Sequence, residues 1–149
     1  ATLKAALEAN SEVAGPEALE ALRTERGIPA FGSEINEDHN PLEAGLIESV
    51  SFNKGCYVGQ EVVARLNTYD KVQRRLAVLN WAEGGVSVGD EVAPNAATGN
   101  GKAIGSLTSV AEHPSGGFVG LAYVRRAFEG AVVTVGPSGT VATMQATTW

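Results

Sequence analysis

The residues most suited to chemistry lie together in the segment 54–61, which reads KGCYVGQE. Cys56 is preceded by Gly55 and followed three residues later by Gly59, and glycine lets other groups approach the backbone closely. A helix that begins near Gly59 would direct its unpaired N–H groups toward the sulfur. Helix N-termini and nearby cations such as Lys54 favour the thiolate, which is the nucleophilic and metal-binding form of cysteine. A functional, ionisable thiol at Cys56 is therefore one interpretation of this segment.

A second interpretation of Cys56 is that of a small buried apolar residue, which is common for an unpaired cysteine. Gln60 and Glu61 also allow two interpretations. They either form the polar first turn of a helix, where the helix dipole favours an acid, or face a pocket as an amide and a carboxylate. Because the chain has one cysteine, and neither His39 nor His113 lies at a ligand spacing from it, we expect no metal site built from this chain alone.

Helices are predicted before the cysteine segment. Apolar spacing indicates a short helix over residues 3–10 and a second helix that begins at Pro16 and ends at Gly27. Leu19 and Leu22 are the predicted apolar stripe of the second helix.

An irregular stretch follows over residues 30–51, which are rich in turn formers. A long irregular stretch inside a compact domain usually has a functional role. A short strand over 49–52 is predicted to lead into the cysteine segment, and a helix over 59–66 to lead away from it.

After residue 74 the composition changes to short strands separated by glycine-rich turns. Six strands are predicted, over residues 75–81, 91–93, 103–110, 118–124, 131–135 and 140–145. Gly105 and Gly120 fall inside strands, where glycine indicates tight bends or bulges. The sequence thus predicts an α+β fold, in which residues 1–72 form a helical and irregular segment and residues 73–149 form a small six-stranded antiparallel β-barrel.

Composition argues against several classes of protein. The net charge of −6 is unlike that of a general binder of nucleic acid or anionic membranes. Apolar residues make up 44% of the chain, and no run of about 18 apolar residues predicts a membrane span. A single cysteine excludes an internal disulfide and suits the reducing cytoplasm. The chain begins without Met and without an apolar leader, so we expect a processed or truncated chain.

Residues 54–65, KGCYVGQEVVAR, closely resemble the K-G-C-Y-x-G-Q-E signature of the YgfZ family of folate-binding proteins. Residues 21–29 look like the helix of that family and its exit, and residues 74–76 look like the entry to its C-terminal barrel. The family is related to the T-protein of glycine cleavage, a tetrahydrofolate-dependent aminomethyltransferase. Three further segments are similar to that relative: residues 22–25, 31–34 and 41–46.

The resemblance implies roles for individual residues. Cys56 would be the functional thiol, with Lys54, Gln60 and Glu61 as its neighbours in the signature. In T-proteins the acid that matches Glu25 contacts the pterin of the folate, and a carboxylate can accept paired N–H bonds from an aminopyrimidine edge.

The remaining implied folate ligands are Arg23, Tyr57 and Arg65. This sequence departs from some family members, which have a folate-stacking Trp at the position of Leu19. The resemblance also implies that the chain corresponds to the C-terminal half of such a protein. We therefore expect tetrahydrofolate binding to need the other half.

The resemblance leads to one function and leaves two alternatives. The first is a folate-dependent factor that assembles or repairs iron–sulfur proteins, including enzymes that modify tRNA. The alternatives are a tetrahydrofolate-dependent aminomethyltransferase and a non-catalytic interaction module in which Cys56 is buried. Expected partners are folate and iron–sulfur client or assembly proteins, with no direct contact to nucleic acid or membrane, and we expect a monomer.

Basic residues form two groups in the sequence, Lys71, Arg74 and Arg75 and, further on, Arg125 and Arg126. In an acidic chain such groups are most simply solvated surface. The functional alternative is a docking surface for a partner protein or for the glutamate tail of a folate.

Overall fold

The structure is a computed structural model that describes residues 9, 11, 13–95, 101–128 and 130–146. Its helices are α1 (Pro16–Glu25) and α2 (Gln60–Thr68), with a short 3-10 helix (Ile47–Ser49) between them. Its strands are β1 (Arg74–Trp81), β2 (Glu91–Pro94), β3 (Gly105–Glu112), β4 (Phe118–Arg125), β5 (Val132–Val135) and β6 (Thr140–Ala146). The predicted helix over residues 3–10 lies outside the described residues, apart from residue 9.

Helix α1 has the predicted ends. Pro16 occupies its first turn, where a missing N–H costs nothing, and Gly27 follows it with a φ of 69°, a conformation that favours glycine. The predicted apolar stripe is wrong, because Leu19 and Leu22 are exposed. The face that packs against β3 and β4 instead carries the buried Ala21 and Thr24.

The predicted strand over 49–52 does not form: the 3-10 helix ends at Ser49, and residues 50–52 have no regular structure. The N–H of Ser49 donates to the carbonyl of Leu46 at 2.9 Å, and the N–H of Val50 donates to that of Ile47 at 3.0 Å. These local bonds occupy the first two N–H groups of the predicted strand, which are therefore not available to a neighbouring strand.

The six strands form the predicted closed barrel, in the order β1-β4-β3-β2-β5-β6, with every pair antiparallel. The predicted strand ends lie within one or two residues of the observed ones. Gly105 allows a close approach of β3 to β4, because a Cβ there would lie 1.9 Å from the backbone oxygen of Tyr123. The pairing of β3 with β4 also shifts register between Leu107 and Ser109, which marks a bulge.

Strand β1 is buried on both faces. Ala77, Leu79 and Trp81 belong to the cluster that fills the barrel interior. Leu76 and Val78 belong to a second cluster, which includes Ala44 and Tyr123. The irregular stretch therefore covers the outer face of the barrel at β1 and β4. This contact stabilises the fold, because fully burying a large apolar side chain contributes about 1.5–3 kcal/mol.

The register of β1, β3 and β4 defines two ends of the barrel. At one end, which we call the arginine end, Arg74 pairs with Arg125. At the other, the tryptophan end, Trp81 pairs with Phe118. An eight-residue strand spans about 23 Å between its end residues. None of the helices in the described part of the chain has the length and apolar character needed to span a bilayer.

Candidate functional site

The cysteine loop, residues 51–59, has no regular structure and is held by short-range bonds. The N–H of Lys54 donates to Ser51 Oγ at 3.2 Å, and the N–H of Gln60 donates to the Tyr57 carbonyl at 3.2 Å. Gly59 has a φ of 85°, which glycine adopts without strain. Helix α2 begins at the next residue. The loop therefore places Cys56 just before the helix N-terminus, as predicted.

Cys56 is exposed. The interpretation of this residue as a buried apolar side chain is therefore wrong. The hypothesis of a non-catalytic interaction module assumed a buried Cys56, and the structure does not support that assumption. An exposed sulfur on a loop is accessible to a chemical reagent or to a group that a partner protein carries.

Lys54 and Tyr57 are brought together beside Cys56. The Lys54 Nζ lies 4.8 Å from the centre of the Tyr57 ring, within the range of a cation–π contact of about 0.5–1 kcal/mol at an exposed site. The Tyr57 hydroxyl is buried and has no hydrogen-bond partner among the described residues. The cation is thus held two residues from the sulfur.

The other predicted residues of this segment lie along α2. Glu61 and Arg65 are exposed, and Gln60 is half-buried. In the described part of the chain, no side-chain hydrogen bond or ion pair joins any of the three to the cysteine loop. Their predicted roles stay predictions.

Arg23 projects from α1 and has all five of its N–H groups engaged. Its Nε donates to Glu20 at 2.7 Å, and its Nη2 donates to Glu20 and, at 2.8 Å, to Ser109 Oγ. Its Nη1 donates to Glu34 at 3.1 Å and to the Ile28 carbonyl at 3.3 Å. Burial opposes the charged form, but the bonds and charges of the two glutamates outweigh it and raise the pKa of Arg23. No donor is left for a folate.

Glu34 is the buried partner that the sequence did not single out as a site residue. Its side chain has no exposed surface. One oxygen accepts from Arg23 and from the Ala30 N–H at 3.0 Å, and the other accepts from Ser109 Oγ at 2.6 Å. The Tyr123 hydroxyl donates to the Glu34 backbone carbonyl at 2.9 Å. This network fastens α1 and the irregular stretch to the barrel.

His39 stacks on Tyr123, with ring centres 3.5 Å apart. Burial lowers the pKa of His39, and Arg74 acts in the same direction, whereas Glu43 and Asp38 oppose it. Burial also raises the pKa of the Tyr123 hydroxyl, with a further contribution from Glu34. Both shifts favour the uncharged form of the ring.

Glu25 lies at the end of α1 and faces His113. Its Oε1 is 3.7 Å from His113 Nε2, and 46% of its side chain is exposed. The Nδ1 of His113 accepts from the Ser115 N–H at 3.1 Å. His113 directly follows β3, so Glu25 lies at the tryptophan end of the barrel. Sequence reasoning missed this pair because 88 residues separate its members.

Comparisons with known proteins agree on one group of relatives. The chain is 43% identical over 128 residues to a protein of Arabidopsis thaliana named as a chloroplastic transferase, covering 82% of this chain and 28% of that protein. It is 35% identical over 109 residues to an aminomethyltransferase of Symbiobacterium thermophilum, covering 65% and 29% of the two chains. It is also 39% identical over 102 residues to the mitochondrial dimethylglycine dehydrogenase of Mus musculus, covering 64% and 11%.

Among solved structures, the glycine cleavage system aminomethyltransferase T of Bartonella henselae matches with a TM-score of 0.68 and 27% identity. The match covers 88% of this chain and 37% of that one. A scan against models of protein families gave no match. The chain spans less than a third of the length of the named sequence relatives. It is therefore homologous to one part of the aminomethyltransferase-like proteins.

Proposed function

We propose that this chain acts as part of a tetrahydrofolate-binding, YgfZ-like protein of the cytoplasm that assembles or repairs iron–sulfur proteins, including enzymes that modify tRNA. The observation that carries the proposal is the exposed Cys56 in the segment KGCYVGQE. A thiol at such a position can contact a cluster, a cluster donor or an oxidised intermediate on a partner protein.

Cys56 supplies one sulfur ligand in this proposal, and the iron–sulfur cluster is the substrate rather than a resident group. Within the described residues no three His, Cys, Asp or Glu side chains form a metal-binding group. The remaining ligands of a cluster therefore come from the client or donor protein. Lys54 lies over the Tyr57 ring and places a positive charge two residues from Cys56.

The residues around Glu25 fit one edge of a folate. Its carboxylate is half exposed, and its single described partner, His113, lies at ion-pair rather than hydrogen-bond distance. Both oxygens can therefore accept N–H bonds from an aminopyrimidine. Arg23 does not fit the same role, since its donors are all engaged. We propose that Glu25 contacts the pterin and that Arg23 braces the helix that carries it.

Large apolar side chains on the same part of the chain suit contact with further protein. Phe31 is 91% exposed, and Val58, in the cysteine loop, is fully exposed. Because the chain spans 28% of its chloroplastic relative, we propose that these side chains pack against another part of a longer protein. Folate binding would then need both parts.

Substitution of the thiol tests the proposal in cells that lack the protein. We expect Cys56→Ser, placed in the longest available form of the protein, to leave its abundance unchanged and to fail to restore the activity of an iron–sulfur tRNA-modifying enzyme. Asn53→Ser is the matched control, because it places the same side chain three residues away on the same exposed loop. Full rescue by Cys56→Ser would remove the thiol from the mechanism.

A second candidate function is aminomethyl transfer to tetrahydrofolate, and the similarity to two named aminomethyltransferases favours it. It predicts tetrahydrofolate-dependent turnover of an aminomethyl-lipoyl carrier protein, with no need for Cys56. Turnover that survives Cys56→Ser would establish this candidate in place of the first. Absence of turnover, together with failed rescue by Cys56→Ser, would support the iron–sulfur role.

A further inference from the structure

A pocket of about 300 Å³ lies at the arginine end of the barrel, between the irregular stretch, the last turns of α2 and the start of β1. Its apolar wall consists of Leu42, Ile47, Leu66 and Val72. Its volume is at the lower limit of pockets that hold small ligands, about 300–1,000 Å³. The apolar wall suits the hydrocarbon body of such a ligand.

The charged wall of this pocket consists of Arg74, Arg75, Arg126 and Asp70. Arg126 forms an ion pair with Asp70. The guanidinium of Arg74 makes no ion pair or hydrogen bond with the described part of the chain. Arg75 donates from Nη2 to the Phe128 carbonyl at 2.8 Å, but its buried Nε–H has no acceptor among the described residues. The pocket thus holds two positive charges beyond its one ion pair.

The strand register brings a further arginine to the same place. Arg74 and Arg125 are direct cross-strand partners in β1 and β4, and both line a more open depression beside the pocket. Like charges directly opposite each other destabilise a sheet. This concentration of arginines in a chain of net charge −6 therefore opposes stability, and a bound anion would relieve the repulsion.

We propose that this arginine pocket binds a small carboxylate with an apolar body. The carboxylate pairs with the guanidinium of Arg74, which can donate two parallel hydrogen bonds to it, and Arg75 adds a second positive charge to the pocket wall. The body packs against Leu42, Ile47 and Leu66. A concave, partly apolar wall with an acid in it is a poor surface for a nucleic-acid backbone.

The pocket is a different site from the one proposed for the pterin. Glu25 lies at the tryptophan end of the barrel and Arg74 at the arginine end, about 23 Å apart along the strands. The inference therefore does not rest on the folate proposal, and either can fail without the other.

The proposal can be tested by titrating the whole chain with 3-phenylpropionate. Binding is monitored through the NMR chemical shifts of the Arg74 and Arg75 Nε–H signals. We expect saturable binding with a Kd in about the millimolar range, and at least tenfold weaker binding of 3-phenylpropanamide and of propionate. Equal binding of the amide, or of inorganic phosphate, would overturn it. Displacement of 3-phenylpropionate by a single-stranded oligonucleotide, added at the same concentration of negative charges, would also overturn the proposal. It would indicate a nucleic-acid-binding surface instead.

Arg74→Gln separates binding from folding. We expect it to weaken 3-phenylpropionate binding by about tenfold, since one charge-assisted contact is lost, and to raise the urea midpoint slightly, since repulsion with Arg125 is removed. Arg26→Gln, an exposed arginine beyond α1, is the matched control and should change neither value. Unchanged binding in Arg74→Gln would contradict the proposal, and so would a lowered urea midpoint.

Discussion

Ser109 donates a hydrogen bond of 2.6 Å to the fully buried carboxylate of Glu34, although 75 residues separate the two in the chain. Ser109 lies on β3 and Glu34 in the irregular stretch, so the bond joins the barrel to the segment that leads to the cysteine loop. Arg23 completes the contact by donating to both residues. A buried charge is tolerated when it is paired and hydrogen-bonded in this way.

Removal of the Ser109 hydroxyl should therefore lower stability without removing the ion pair. We expect Ser109→Ala to reduce the free energy of unfolding by about 1.5–3 kcal/mol, the range for a hydrogen bond to a charged group. Ser106→Ala, an exposed serine on the same strand, should change it by less than about 0.5 kcal/mol. Urea unfolding followed by tryptophan fluorescence measures both. Equal small losses in the two variants would show that the Glu34 network does not stabilise the fold.

Gly105 permits the close approach of β3 to β4. A Cβ at this position would lie 1.9 Å from the backbone oxygen of Tyr123, which cannot move without disturbing the sheet. We expect Gly105→Ala to cost about 3 kcal/mol or more. At Gly84 the nearest atom to an added Cβ is on the Phe118 ring, at 3.4 Å. Gly84→Ala should stay within about 1 kcal/mol of the parent in the same unfolding assay, and a similar loss in both variants would contradict this account of β3.

His39 should make stability depend on pH below neutrality. Burial lowers the pKa of His39 in the folded chain, whereas a histidine in the unfolded chain titrates near about 6.5. As the pH falls below that value, the unfolded state takes up a proton before the folded state does, so the free energy of unfolding decreases. We expect His39→Gln, measured by urea unfolding from pH 7.5 to 5, to reduce this slope.

His113→Gln is the matched control for His39, because it removes the other histidine and keeps the stack on Tyr123. If the pH dependence of stability persists in His39→Gln and disappears in His113→Gln, it arises from His113, and the prediction for His39 is wrong. The overall loss of stability from the missing stack does not affect the comparison, since it is present at every pH.

The barrel was predictable because its signals are local. Each strand is bounded by glycine-rich turns, and the six observed strands match the six predicted ones. Failures occurred where the chain is irregular, as in the strand predicted over 49–52, because the choice there depends on individual turn hydrogen bonds. The apolar stripe of α1 failed for a related reason: Leu19 and Leu22 have no apolar surface of the described chain to cover them.

The candidate site also combines residues that local sequence signals predict with residues that depend on tertiary packing. The position of Cys56 before a helix was predictable, since Gly59 and the following residues carry a recognisable loop and helix start. The roles of Glu34 and His113 were not, because each depends on a partner brought close by tertiary packing. A lone glutamate in a stretch of turn formers gives no periodic signal that it will be buried.

The most direct test of the account is the reactivity of the single thiol in the folded chain. If Cys56 is presented to solvent at the start of α2, as the structure places it, we expect a thiol reagent such as 5,5′-dithiobis(2-nitrobenzoate) to label one equivalent in buffer without denaturant. Gly55→Ala, where an added Cβ meets no atom within 4 Å, should label equally well. A thiol that stays unlabelled until the protein is unfolded in urea would contradict the proposed role of Cys56.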